Sequence, residues 1–280
     1  MAFGELGTDA LKAENVDKLI KGFALREFVL KQVCSVQTSG AWKESYYTES
    51  KTELSATAKI ARLAAFPTQS PLWQKNTAYL QKHGLELDIS WEDVMTDDIP
   101  VLARSQLRIA RAVAKSVDDL IYTTLAGAAG VLTSATPGGF EWDSDTRASR
   151  HPQDQIGDAI RLLATNNYTA THLIVNPKDY YLLVTNDDII DAFTPTSSDI
   201  IKNGKVGRIL NLEALVTNAV PADEALVLEA KTCATYRVAE ELRTMTKREE
   251  GIKYTIRAWE LGVPFVTDPE AICKITNTNK

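Results

Sequence analysis

Three histidines, three cysteines and a few adjacent acid pairs are the side chains of this sequence whose chemistry could be catalytic or metal-binding. His83 stands beside Gly84, His151 before Pro152, and His172 opens a short apolar run. None has a Cys, His, Asp or Glu at the spacing that lets two ligands reach one metal ion, and neither HExxH nor CxxC occurs. Cys34, Cys233 and Cys273 are far apart and odd in number, the pattern of buried free thiols in a reducing compartment. Asp187-Asp188, Glu240-Glu241 and Glu249-Glu250 could in principle supply a two-carboxylate site, but adjacent acids on one chain read as solvated faces. The run from Lys202 to Arg208 holds two glycines and three bases, yet not in the order that wraps a phosphate at a helix start. No GxSxG elbow occurs. Trp42, Trp73, Trp91, Trp142 and Trp259 are too scattered for a base-stacking platform. The expectation is a non-enzyme with no catalytic residues, no cofactor and no metal.

The elements these residues sit on have an unusual layout. The stretch from Pro71 to Ser90 is a polar arm whose second half alternates: Leu85, Leu87 and Ile89 face one way, Glu86, Asp88 and Ser90 the other. That is the period of a half-buried strand. It leads into a long helix expected from about Ile99 to Leu125, opened at Thr96-Asp97-Asp98 with Pro100 in its first turn. Such a helix is roughly 40 Å long at 1.5 Å per residue. Leu102, Ile109, Val113, Val117 and Leu120 form its apolar stripe, flanked by Arg104, Arg108, Arg111 and Lys115, and Gly127 and Gly130 end it.

Upstream, residues 8 to 21 read as a modest amphipathic helix, and Phe28, Leu30, Val33 and Val36 as a second apolar series. From Thr38 to Ser70 the chain is rich in Ser, Thr and Ala, with an extended segment at Tyr46-Tyr47-Thr48 and a short helix around Ile60, Leu63 and Ala64. With the returning arm this makes a hairpin-like loop of roughly 40 to 50 residues, far beyond ordinary connections. Downstream, helices are expected over 153–164 and 178–184, the latter with Pro177 at its first position. Strands are expected over 171–177, 208–212, 214–216, 225–228, 242–247, 253–260 and 271–275. Helices and dispersed strands without regular βαβ alternation argue an α+β fold.

Composition bounds the partners. The chain has 280 residues, 44% hydrophobic and 24% charged, with a formal net charge of −6, ordinary for a soluble protein with a full core. Phosphate affinity comes from clustered Lys and Arg, so any nucleic-acid contact must be local or weak. Neither a signal peptide nor a membrane-length apolar run is visible, which predicts a cytoplasm-like setting and no membrane partner.

Three segments, in order, resemble the major capsid proteins of tailed bacteriophages and related viruses, the Hong Kong 97-type capsid fold. Phe66-Pro67-Thr68-Gln69-Ser70-Pro71-Leu72-Trp73-Gln74-Lys75 with the strand from Leu85 to Ser90 looks like the return limb of that family's extended loop. Trp91-Glu92-Asp93-Val94-Met95-Thr96-Asp97-Asp98, through Asp118-Asp119-Leu120-Ile121, looks like its acidic lead-in and spine helix. Leu242 to Ile275, with Trp259 to Ile275 at its end, resembles its closing strands. The segments 171–177 and 210–227 look like strands of the axial domain. The resemblance implies an N-terminal arm over 1–37 and an extended loop (E-loop) over 38–89. It also implies a peripheral domain over 90–127 and 234–262, and an axial domain over 128–233 and 263–280.

What the resemblance implies about function is self-assembly. The subunit would form hexamers and pentamers of an icosahedral shell around double-stranded DNA, contacted weakly and non-specifically. Portal and separate scaffolding or decoration proteins would be further partners, and the virion, assembled in the host cytoplasm, its location. Interface candidates are Trp42, Tyr46, Tyr47, Arg62, Phe66, Trp73 and Lys75, with Gly84 and Gly127 as hinges. Some family members weld subunits through a lysine and an asparagine. Lys75 or Lys59 could stand for the lysine, but Arg248-Glu249-Glu250-Gly251 has no asparagine, so no crosslink is expected. The chain also leaves no room for a long scaffolding extension ahead of the arm. An encapsulin-type nanocompartment shell housing a cargo enzyme is the alternative reading, and an unrecognised α+β enzyme a second.

Overall fold

The apolar stripe of the long helix needs a surface to cover, and two long strands supply it. The computed structural model describes residues 20, 28–49, 60, 65–66, 68, 73–96, 101–144, 150–186 and 208–279. In chain order the strands are β1 (Ser35–Thr38), β2 (Lys43–Glu49), β3 (Trp73–Tyr79), β4 (Gln81–Ser90), β5 (Leu132–Ala135), β6 (His172–Val175), β7 (Arg208–Ile209), β8 (Leu212–Val216), β9 (Glu224–Leu228), β10 (Ala234–Glu249), β11 (Lys253–Val266) and β12 (Ile272–Thr276). Among the described residues, the α-helices described along their length are α1 (Trp91–Thr96), α2 (Val101–Gly127), α3 (Pro152–Thr165) and α4 (Pro177–Val184).

The described strands form three sheets: a four-stranded one ordered β1-β10-β11-β4, a six-stranded one ordered β5-β12-β9-β6-β8-β7, and the separate β2–β3 hairpin. Helix α2 lies across β11 and β4. Its buried face is Ile109, Val113, Val117, Ile121 and Leu125, with Ala110 and Ala114 between them letting the backbones approach. Each such aliphatic side chain contributes about 1.5–3 kcal/mol on burial. The second core lies under the six-stranded sheet, where Ile156, Ala159 and Leu163 of α3 meet Leu173, Val175, Val227 and Ile275.

Several expectations hold and several shift. Helices α3 and α4 form where the periodicity places them, and Asn176 caps α4 by accepting from Lys178 N–H at 2.9 Å. Helix α2 runs to Gly127, and its stripe continues through Ile121, leaving Leu120 half-buried. Asp97, Asp98 and Pro100 lie outside the described residues, and Thr96 does not open it. It closes α1, donating its hydroxyl to the Glu92 carbonyl at 3.0 Å, while Ser90 Oγ caps α1 by accepting from Asp93 N–H. Ser-x-x-Asp was a start signal hidden inside the acidic lead-in.

The segment expected as one strand over 208–212 is a hairpin. Leu210 and Asn211, at φ 47° and 67°, make a two-residue turn between β7 and β8. Strands β10 and β11 run far beyond their expected limits, because an apolar face continued through bulges between Val238 and Arg243 does not alternate strictly. Strands β1 and β5 were not anticipated: each is four residues long, with two or three exposed side chains or part-buried ones and little period to read. Gly84, expected as a hinge, sits inside β4 opposite Trp259. A Cβ there would meet the Ala258 carbonyl at 2.8 Å and Trp259 Cβ at 2.9 Å, so the glycine serves close strand approach. The helices expected at 8–21 and around Ile60 lie outside the described residues, apart from Ile20, which is buried, and Ile60 itself, which is not helical.

Candidate assembly surface

The two faces of the β2–β3 hairpin differ. Directly opposed residues share a face, so Tyr47 and Lys75, Ser45 and Thr77, and Lys43 and Tyr79 lie together with Trp73. All are exposed: Trp73 by 57%, Tyr47 by 54% and Tyr79 by 59%. Lys43 and Lys75 form no ion pair with any described residue. The opposite face carries Glu44, Tyr46, Thr48, Asn76 and Ala78, all half-buried, with Gln74 exposed at its end. Tyr46 stacks on Phe265 of β11 with centroids 4.4 Å apart. Behind this face a cleft of about 720 Å³ opens towards the end of α2, lined among others by Gln74, Asn76, Thr123, Thr124, Gly127 and Glu270.

Of the sequence-derived interface candidates, Tyr47, Trp73 and Lys75 come together on the outer face. Trp42 is exposed at the hairpin root, and Phe66 is exposed by 80%. Tyr46 is engaged inside its own subunit, and Arg62, like Lys59, lies outside the described residues. Tyr79 belongs with the outer set. Its signal was the i, i+2, i+6 spacing of Trp73, Lys75 and Tyr79 on one strand face.

The chain just ahead of β1 is tied to the body by long-range polar contacts. Asp118, buried on α2, accepts from the N–H groups of Val29 and Leu30 at 3.0 and 3.2 Å and holds the turn before β1. Burial raises its carboxyl to about 6 despite those donors. Lys31 reaches Glu260, which is fully buried, at 2.6 Å and lies over the rings of Phe28 and Tyr236. Tyr236 donates its hydroxyl to the same carboxylate at 3.0 Å, and burial, with Glu260 beside it, pushes that phenol's pKa up. Gly262 leaves room for this ring, because a Cβ there would stand 2.5 Å from the Tyr236 oxygen. His83 lies directly opposite Glu260 in the β4–β11 ladder, with Nδ1 2.8 Å from Ser116 Oγ of α2. Burial lowers its pKa, Glu260 opposing.

The helix is also joined to the six-stranded sheet. Tyr122 donates to Glu224 of β9, which pairs with Lys274 of β12 at 2.6 Å. Asp179, at the start of α4, accepts from Thr278 and Asn279 and so anchors the last described residues; burial raises it to about 6. Among the described residues, those first considered for chemistry are not gathered; Asp187, Asp188 and the run from Lys202 to Gly207 lie outside the described residues. Cys34, Cys233 and Cys273 are free and buried, and burial pushes the thiols of Cys233 and Cys273 up to about 12. His172 bonds Thr171 and faces Glu213 at 3.6 Å. Among the described residues no group of three His, Cys, Asp or Glu is placed to hold a metal ion, and no helix is long and apolar enough to cross a membrane.

This geometry can be set beside known proteins. The family described as phage capsid protein matches residues 74–275. No curated protein matches the sequence. Among solved structures, the chain is similar to the capsid of the cyanophage P-SCSP1u, with a TM-score of 0.68 and 13% identity over 90% of this chain and 89% of that one. It is similar to a virus-like particle from Pyrococcus furiosus, with a TM-score of 0.67 and 11% identity over 94% and 98%. It is also similar to the capsid of a native GTA particle, with a TM-score of 0.65 and 16% identity over 90% and 91%. Identities this low establish the shared Hong Kong 97-type fold; the family match covers well over half of the sequence. The chain belongs to the phage capsid protein family.

Proposed function

We propose that the subunit builds its shell through the outer face of the β2–β3 hairpin, laid on a neighbouring copy. The observation that carries this is the segregation of the hairpin: one face closes on its own body, while Trp73, Tyr47 and Tyr79 with Lys43 and Lys75 remain uncovered. An isolated two-stranded ribbon is marginal in water, and exposed Trp and Tyr suit an interface centre, with the two lysines at its polar rim. Copies arranged as hexamers and pentamers would repeat this contact around a closed shell, so each contact can be weak while the whole is stable.

In this reading the loop over 38–89 is the intersubunit limb, and α2 with β10 and β11 is the rigid peripheral body. The six-stranded sheet with α3 and α4 is the axial part around the capsomer centre. The content is double-stranded DNA, a portal and separate scaffolding or decoration proteins are the further partners, and assembly takes place in the host cytoplasm. Without an asparagine in Arg248-Glu249-Glu250-Gly251, subunits are held non-covalently, and assembled particles run as single chains on a denaturing gel.

Electron microscopy of the purified protein tests the reading. Shells of uniform size are expected, and a discrete monomer would overturn it. Deleting residues 50–68 should leave a folded subunit that no longer assembles; normal shells from that deletion would remove the loop from the mechanism. A cargo enzyme inside native particles in place of DNA would mark a nanocompartment.

A further inference from the structure

Helix α2 carries a second pattern besides its core stripe. Arg104, Arg108, Arg111 and Lys115 are spaced 4, 3 and 4 apart, so they share one flank, and all four are exposed. Over 11 residues the row spans about 16 Å, roughly half a duplex turn. Two electrostatic rules make this row costly for the subunit alone. Like charges at i, i+4 destabilise a helix by about 0.2–0.5 kcal/mol per pair, and the row contains two such pairs. Cations in the first half of a helix also oppose its macrodipole, and Arg104 is only the fourth residue of α2. No acid is interleaved with them. Arg104, Arg108 and Lys115 form no ion pair with any described residue, although the chain as a whole is acidic at −6. By contrast, Arg257, Lys253 and Arg243 on the outer sheet face are each matched to a carboxylate.

We propose that this flank of α2 is the subunit's phosphate-contacting surface, and therefore the face turned to double-stranded DNA inside the shell. The inference rests on the capsid reading above and adds which face points inward. Duplex DNA presents about one negative charge per 1.7 Å of axis, so a straight row of four cations meets phosphates without any sequence readout. A local row of this kind also reconciles an acidic protein with an anionic content: the contact is confined to one flank, and the remaining surface does not grip.

The test uses free full-length subunits kept dilute and a random 30-base-pair duplex, with affinity followed by fluorescence anisotropy from 50 to 200 mM salt. Four phosphate contacts predict a loss of about 100-fold over that range. Arg104→Gln/Arg108→Gln/Lys115→Gln should make the slope of log affinity against log salt shallower by about three. Its melting temperature should be unchanged or raised, since like-charge repulsion is removed, so misfolding would be seen. Lys43→Gln/Lys75→Gln on the hairpin should leave the slope as it is. An unchanged slope in the triple variant, or no wild-type binding at 50 mM salt, overturns the proposal. So does a triple variant that fails to form shells while binding DNA normally, because the row would then contact another copy. If the wild type forms no shells yet loses DNA affinity with the triple substitution, the capsid reading fails and the phosphate surface stands.

Discussion

Two of the subunit's antiparallel ribbons, β10–β11 and β2–β3, share a backbone pattern and have opposite fates. In β10–β11 one face is buried beneath α2, where Ile256 and Ala258 are fully enclosed. Its outer face is matched within the subunit: Arg257 meets Glu86 at 2.6 Å, Lys253 meets Asp88 at 2.7 Å, and Arg243 meets Glu240 at 3.1 Å. In β2–β3 none of the strand residues with a described side chain is buried, one face leans on the body, and the other shows aromatics and lysines that no described residue matches. A surface whose charges are matched internally, with Met245 its exposed apolar side chain, is a largely finished one. One left with aromatics and lysines uncovered is, in the proposed reading, the face laid on a neighbouring copy. Changes in the first ribbon should therefore cost stability, and changes on the outer face of the second should cost assembly.

The largest effect is expected at the arm. Lys31→Met leaves Glu260 buried without its cation, and removing one partner of such a pair costs about 3–5 kcal/mol. A urea midpoint should fall accordingly, and Lys31→Met/Glu260→Gln should recover part of it. A Lys31→Met subunit as stable as wild type would mean that the arm is not anchored there. Next, Gly84→Ala forces a methyl group against the Ala258 carbonyl and should cost about 1–3 kcal/mol by the same measurement. An unaffected midpoint would show that β4 can shift off β11.

A pH series gives a smaller signal. His83 has a lowered pKa in the folded state, so its neutral form contributes stability above about pH 6.5 that is lost as the pH falls through the folded value. Asp118 and Asp179, raised to about 6, act in the opposite sense: their charged forms are disfavoured above that pH and relieved below it. His83→Gln should therefore lose less melting temperature than wild type between pH 7.5 and 5.0. Parallel curves for the two proteins would remove His83 from the acid response. The smallest stability change belongs to the outer face of the hairpin. Tyr47→Ser/Trp73→Ser/Tyr79→Ser should stay within about 0.5 kcal/mol of wild type in urea. The same variant should give no shells by electron microscopy. Intact shells would break the contrast between the two ribbons.

Much of the body was legible because its signals are local and periodic. The stripe of α2, the alternation from Leu85 to Ile89, and the Asn176-Pro177 start of α4 each depend on a few neighbouring residues. The Leu210–Asn211 turn was not legible, since neither residue is the glycine such a turn favours. The bulged middle of β10 hid its length in a similar way. On the proposed assembly surface, the aromatic content of the loop could be read directly, but its orientation could not. Tyr46 and Tyr47 are neighbours of the same type, and only the placement of Phe265, more than 200 residues away, makes one an internal anchor and leaves the other exposed.

The sequence by itself determined the helix and strand periods, the absence of any recognisable catalytic motif, and the element order that marks the capsid fold. It also placed four cations on one flank of α2, because helical spacing alone puts them there. Tertiary structure decided what each face meets: Lys31 with Glu260, Tyr122 with Glu224, and the outward turn of Trp73. A period says that a face exists, whereas its partner lies anywhere along the chain. Contacts that close loops of 100 residues or more leave no trace in local spacing, so only the folded chain can assign them.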